Sequence, residues 1–181
     1  AGFSFAGMPL VVLGHNRRIA WGITNLCGDV QDLYRETLDD PKKPARYRFQ
    51  NAWRPLQTVR ETIEVRGGQP VTVEIRSTHH GPLIQDEIPD LKGGPPMALR
   101  WSAMDGDSML SALRGVNLAG GWEEVRTALR GWSSPSVNIG YADVDGHIGY
   151  HSTGLIPLRP GGDRGLVAAD GASGAHEWQG Y

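Results

Sequence analysis

Glycine and proline interrupt this chain so often that little room is left for long helices: 25 glycines and 12 prolines are spread over 181 residues. Such punctuation dictates short strands joined by turns, and the apolar pattern agrees. Residues 8–13 and 18–24 read as two strands joined by the turn Gly14-His15-Asn16-Arg17. Further on, Val59, Ile63 and Val65 share one face while Arg60, Thr62 and Glu64 share the other, with Glu61 the only charge on the apolar side. Val71, Val73 and Ile75 then alternate strictly against Thr72, Glu74 and Arg76. With Gly67-Gly68 between the two runs, the pattern predicts a hairpin with one wet face. The pair Asp145-Gly146 predicts a second hairpin, joining residues 139–144 to 147–152. One helix is predicted over residues 122–132, where Val125, Ala128, Leu129 and Trp132 fall on one face. Residues 39–44 and 88–96 are turn-rich and read as exposed loops. No internal repeat or low-complexity tract marks a linker, so the expected fold is α+β, mostly β, with residues 1–181 forming one body.

Composition narrows the partners. Eighteen basic against twenty acidic residues leave a formal charge of −2, so no global field steers the chain to nucleic acid or anionic lipid. No apolar run is long enough to cross a bilayer, and no basic-then-apolar signal segment opens the chain. A small-molecule or protein partner is favoured. Cys27 is the single cysteine, which excludes an internal disulfide and a cysteine metal cluster. Beside Gly28 and Asp29 it reads as a small, partly buried apolar side chain rather than a nucleophile.

Several polar groups invite a chemical reading. Asp29 and Asp32 are close enough for both carboxylates to converge on one cation. Calcium takes roughly six to eight oxygens, however, so two acids cannot complete its shell; by themselves they read as a solvated acidic turn. The run Asp143-Val144-Asp145-Gly146-His147 begins like a calcium loop, but no glutamate follows at the required spacing, and the Asp-Gly hairpin explains the same residues. His79 and His80 are adjacent, so on a strand they point to opposite faces and cannot share an ion. His15 and Asn16 read as structural hydrogen-bonding groups of their turn. Trp21-Gly22-Ile23-Thr24 reads by itself as a buried strand end.

Longer blocks carry more. Gly14-His15-Asn16-Arg17-Arg18-Ile19-Ala20-Trp21-Gly22-Ile23-Thr24-Asn25, with Gly28-Asp29-Val30-Gln31-Asp32-Leu33-Tyr34-Arg35-Glu36 after it, resembles a segment of the penicillin acylase (penicillin amidase) family of N-terminal nucleophile hydrolases. Thr78-His79-His80-Gly81-Pro82 resembles a second segment, residues 138–159 a third, and Glu177-Trp178-Gln179-Gly180-Tyr181 a fourth. Their order and spacing together make the resemblance specific.

The resemblance implies a four-layer αββα fold, to which this chain contributes mainly sheet. It implies cleavage of the amide bond of a hydrophobic acyl group by a serine whose own α-amino group is the base. Because the first residue is Ala1, the chain is expected to be the front part of an acylase large subunit without its nucleophile, inactive alone and partnered by the remaining acylase segments. The family pattern assigns Asn25 a catalytic part, its backbone N–H serving the oxyanion hole. It assigns the acyl pocket to Val12, Leu13, Ile23, Leu113 and Val137, all aliphatic here, which suits an aliphatic acyl chain as well as a phenylacetyl group. It assigns a structural calcium to Asp29, Gln31, Asp32 and Arg164. Export to the periplasm or outside the cell is typical of the family. The alternative from a different class is a non-catalytic β-rich binding module, for which the six tryptophans are dispersed rather than gathered into a platform.

Overall fold

The computed structural model describes residues 1–85, 87–105 and 109–181. In chain order the strands are β1 (Gly2–Phe3), β2 (Leu13–His15), β3 (Ile19–Asn25), β4 (Gln31–Arg35), β5 (Arg46–Phe49) and β6 (Ala52–Pro55). They continue with β7 (Gln57–Ile63), β8 (Val71–Thr78), β9 (Gly81–Pro82) and β10 (Met97–Trp101). Two helices follow, α1 (Met109–Leu118) and α2 (Trp122–Leu129), and then β11 (Val137–Asp143), β12 (Ile148–Thr153) and β13 (Ala169–Asp170). The protein is mostly β, as its glycines and prolines dictate. The backbone divides into two compact units, one of residues 1–30, 102–157 and 181, the other of residues 31–101 and 158–180.

In the first unit an antiparallel sheet runs β1-β2-β3-β11-β12. Strict alternation puts Ile19 and Trp21 of β3 and Val137, Ile139 and Tyr141 of β11 on the buried face. Register aligns the two sets, Tyr141 opposite Trp21 and Ile139 opposite Ile23. The helices cover that face. Leu113, Val116, Val125 and Leu129 are buried almost completely, each worth about 1.5–3 kcal/mol over its exposed state. The helices approach so closely that a Cβ at Gly115 would lie 2.6 Å from the Ala128 Cβ. The predicted helix ends at Leu129, three residues early, yet Trp132 stays buried because its indole N–H donates to Pro135 O at 2.8 Å. Helix α1 was not expected. Gly115 and Asn117 dilute its pattern, although Ala112, Leu113 and Val116 have the helical spacing that would have revealed it.

In the second unit β4 is central, antiparallel to β10 and parallel to β13. Two hairpins complete it. One is β5–β6; the other is β7–β8, extended by β9 and pairing Val59 with Ile75 and Ile63 with Val71. The hairpin around Gly67-Gly68 is the predicted one, but Val59, Ile63, Val71 and Ile75 of its apolar face are all exposed. The interior of this unit is formed by Tyr34, Tyr47, Phe49, Met97 and Ala98 with the polar Glu36, Thr78 and His80. Among the described residues no helix is long and apolar enough to cross a membrane.

Candidate active site

The first unit holds a cavity of about 160 Å³ walled by Phe5, Met8, Val12, Ile23, Met109, Leu113, Trp132, Pro135 and Val137. Four of the five positions carried over from the resemblance, Val12, Ile23, Leu113 and Val137, meet here from four separate parts of the chain. Leu13 does not. It is 40% exposed, because it follows Val12 in an extended segment and alternation turns it to the other side. Phe5, Met8, Met109, Trp132 and Pro135 were missed. Met109 stands one helical turn before Leu113, a signal available had α1 been recognised.

Hydrogen bonds hold the wall while keeping its inner surface apolar. Trp21 Nε1 donates to Val12 O at 2.9 Å. Beside it, the Asn117 amide clasps the Val11 backbone, accepting from its N–H and donating to its carbonyl, each at 2.8 Å. Asn16 supports the neighbouring turn: its Oδ1 accepts from the N–H of Arg18 and Ile19, and its Nδ2 donates to Asn117 O and Ala119 O. His15 is exposed and its Nδ1 lies 3.0 Å from Asn16 O.

Asn25 ends the strand that brings Ile23 to the cavity. Leu26 N–H donates to Ser136 O on the β11 side at 3.2 Å. Antiparallel alternation therefore turns the Asn25 N–H the other way. On that side β2 pairs with β3 at Gly14–Trp21 and His15–Ala20 and then diverges, so the sheet does not consume this donor. The Asn25 side chain accepts from Cys27 N–H at 2.9 Å and braces the turn in which Cys27 takes a φ of 55°. Cys27 is exposed, not partly buried as its sequence neighbours suggested.

The acidic residues divide between the units. Asp29 lies exposed in the first, whereas Asp32 is buried in the second. Asp32 Oδ2 accepts from Arg159 Nε at 2.8 Å and from Trp178 Nε1 at 2.5 Å. Its Oδ1 is buried without a hydrogen-bond partner among the described residues. Gly165, next to Arg164, packs so closely on that oxygen that a Cβ would collide with it. Gln31 opens β4 opposite Trp101.

A second polar cluster contradicts the reading of His79 and His80. They lie in the β8–β9 turn, not on a strand, and their rings sit side by side with centroids 3.8 Å apart. His80 is buried between two carboxylates, Nδ1 2.7 Å from Glu36 Oε1 and Nε2 2.7 Å from Glu177 Oε1. Burial favours neutral imidazole, but the hydrogen bonds to Glu177 and Glu36 outweigh it and raise the His80 pKa. Burial likewise opposes the Glu177 charge, and the two histidines overcome it, bringing that pKa down to about 2.

Known proteins share this framework. The sequence matches the penicillin amidase family along residues 1–181. The chain belongs to that family. It is 35% identical over 190 residues to the acyl-homoserine lactone acylase QuiP of Pseudomonas aeruginosa, the match covering 100% of this chain and 22% of that protein. It is 32% identical to the penicillin G acylase of Escherichia coli over 174 residues, 95% of this chain and 20% of that one. The crystallised thermostable penicillin G acylase of Alcaligenes faecalis superposes with a TM-score of 0.81 at 35% identity, over 99% of this chain and 34% of that one. The penicillin amidase fold is therefore shared, while the chain spans about a fifth of the length of the curated relatives it matches.

Proposed function

We propose that this chain forms the acyl-binding wall and one oxyanion donor of a larger amidohydrolase that cleaves the amide bond of a hydrophobic acyl group. The observation that carries the reading is the apolar cavity whose wall residue Ile23 stands two residues before Asn25 on one strand. A rigid strand fixes the distance between acyl pocket and N–H donor, which is what stabilising a tetrahedral oxyanion requires. Among the described residues nothing charged lines the cavity, so an uncharged acyl group is the fitting occupant. The relatives are named as acylases, which favours an enzyme over a non-catalytic binding module.

Calcium fits the second unit at Asp32. Its Oδ1 is a buried carboxylate oxygen lacking a hydrogen bond, the kind of atom a hard cation satisfies. In this proposal Asp32 gives a carboxylate oxygen, Gln31 and Arg164 of the same unit give carbonyls, and the bound ion is structural.

The test is hydrolysis of N-acyl substrates by the full-length protein, with uncharged acyl groups of graded size. Turnover should require an apolar acyl group and collapse when a charge is placed on it. Equal rates for charged and apolar acyl groups, or no amide hydrolysis at all, would overturn the proposal.

A further inference from the structure

We propose that His79, His80 and Glu177 form a binding site for one divalent transition-metal ion of the zinc type. Both imidazoles have their Nδ1 occupied, His80 by Glu36 Oε1 at 2.7 Å and His79 by the Tyr47 hydroxyl at 3.1 Å. That leaves both Nε2 atoms directed at one carboxylate, 2.7 Å from Oε1 and 3.4 Å from Oε2 of Glu177. The three ligand atoms lie within 4.8 Å of one another. A histidine held through its second nitrogen by a carboxylate is the outer arrangement that orients metal ligands and raises their basicity.

Ring packing holds the pair in place. Tyr34 stacks on His80 at 3.8 Å and 7°, and Phe49 meets His79 edge-on at 4.3 Å. Tetrahedral zinc bonds of about 2.0–2.2 Å separate ligand atoms by roughly 3.3 Å. The pair His79–Glu177 already has that spacing. His80 Nε2 stands 2.7 Å from the other oxygen, Oε1, so Glu177 must turn to set one oxygen before both imidazoles, and at 36% exposed it has the freedom to do so. Partial exposure of His79 and Glu177 leaves a side open to solvent for a fourth ligand.

Charge points the same way. Glu36 is buried, one of its oxygens without a hydrogen-bond partner, so with Glu177 two carboxylates meet at one histidine. An imidazolium cancels one of those charges, whereas a divalent ion on Nε2 cancels both. Two nitrogens and one oxygen select zinc, cobalt or nickel over calcium, which takes oxygens throughout. The site is separate from Asp32 and stands independently of the acylase reading.

The experiment uses the full-length protein, stripped with chelator, returned to excess calcium so that oxygen sites are filled, and titrated with zinc chloride and then cobalt chloride. The parent should bind one equivalent more than His79→Ala or Glu177→Gln, and its cobalt form should show the visible absorption of a four-coordinate ion that both variants lack. Glu36→Gln should weaken the binding about tenfold or more by loosening His80. His176→Ala, outside the cluster, should keep it. Far-UV dichroism and melting curves establish that each variant is folded. Identical zinc uptake by the parent and by folded His79→Ala and Glu177→Gln would overturn the proposal, as would no saturable uptake by the parent.

Discussion

In the proposed function, Ile23 is the residue at which pocket and oxyanion donor come closest along the chain. Phenylalanine there would overfill an apolar cavity of about 160 Å³ while leaving the Asn25 backbone in place. In the full-length enzyme Ile23→Phe should lower the ratio of kcat/KM for a long against a short acyl group by about tenfold, the scale of one or a few methylenes in a pocket. A uniform loss across acyl lengths would assign Ile23 to folding alone. Asn117 acts behind the wall. Asn117→Ala removes three hydrogen bonds of 2.8 Å, two to Val11 and one to Leu113 O, and should cost about 2 kcal/mol in denaturant unfolding. Of the positions carried over from the resemblance, Val12, Ile23, Leu113 and Val137 line one cavity while Leu13 is exposed, because side-chain direction depends on local strand phase, which an aliphatic letter does not encode.

The β11–β12 hairpin shows an element whose stability rests on one carboxylate. Asp143 Oδ1 accepts from the N–H of Asp145 and of His147, and its Oδ2 accepts from the Tyr141 hydroxyl at 2.8 Å. Burial opposes the charge, but these donors and the His147 ring win and hold the Asp143 pKa at about 2. A folded pKa below the unfolded value gives stability that is present above the unfolded pKa and disappears as pH falls through the folded one. Melting temperature should therefore decline between about pH 4 and pH 2, and Asp143→Asn should flatten that limb. The residues that began like a calcium loop form this turn instead. The existence of this hairpin, like that of β7–β8, was legible from alternation and turn chemistry; its register was not, since a two-residue Asp145-Gly146 turn would set Val144 opposite His147, whereas His147 lies opposite Asp143 across three residues. Which hairpin face would be covered was not, since coverage depends on what packs there.

At the scale of the whole molecule, the proposed calcium gives a thermodynamic signature. An ion that binds only the folded state raises its stability by mass action. Asp32→Ala in the full-length protein should lower the melting temperature more with calcium than without, and equal shifts in both conditions would assign Asp32 to its Arg159 and Trp178 contacts alone. The 181-residue chain assayed by itself against acylated chromogenic amides should give background rates, because it spans about a fifth of the length of the acylases it matches. Turnover that tracks the purified chain would refute that division of labour.

The amino-acid order by itself determined the mostly β character, the two hairpins and, through the Gly-His-Asn-Arg to Asn-Leu-Cys-Gly-Asp block, the family. All of these rest on contacts between near neighbours or on unbroken strings of residues. Only the tertiary structure decided that residues as distant as Phe5, Leu113 and Val137 enclose one cavity, and that His80 lies between Glu36 and Glu177. Periodicity reports which face of an element is apolar or polar. Which other element that face meets is set by packing across long sequence separations, and so the pocket and the histidine cluster emerge only once the chain has folded.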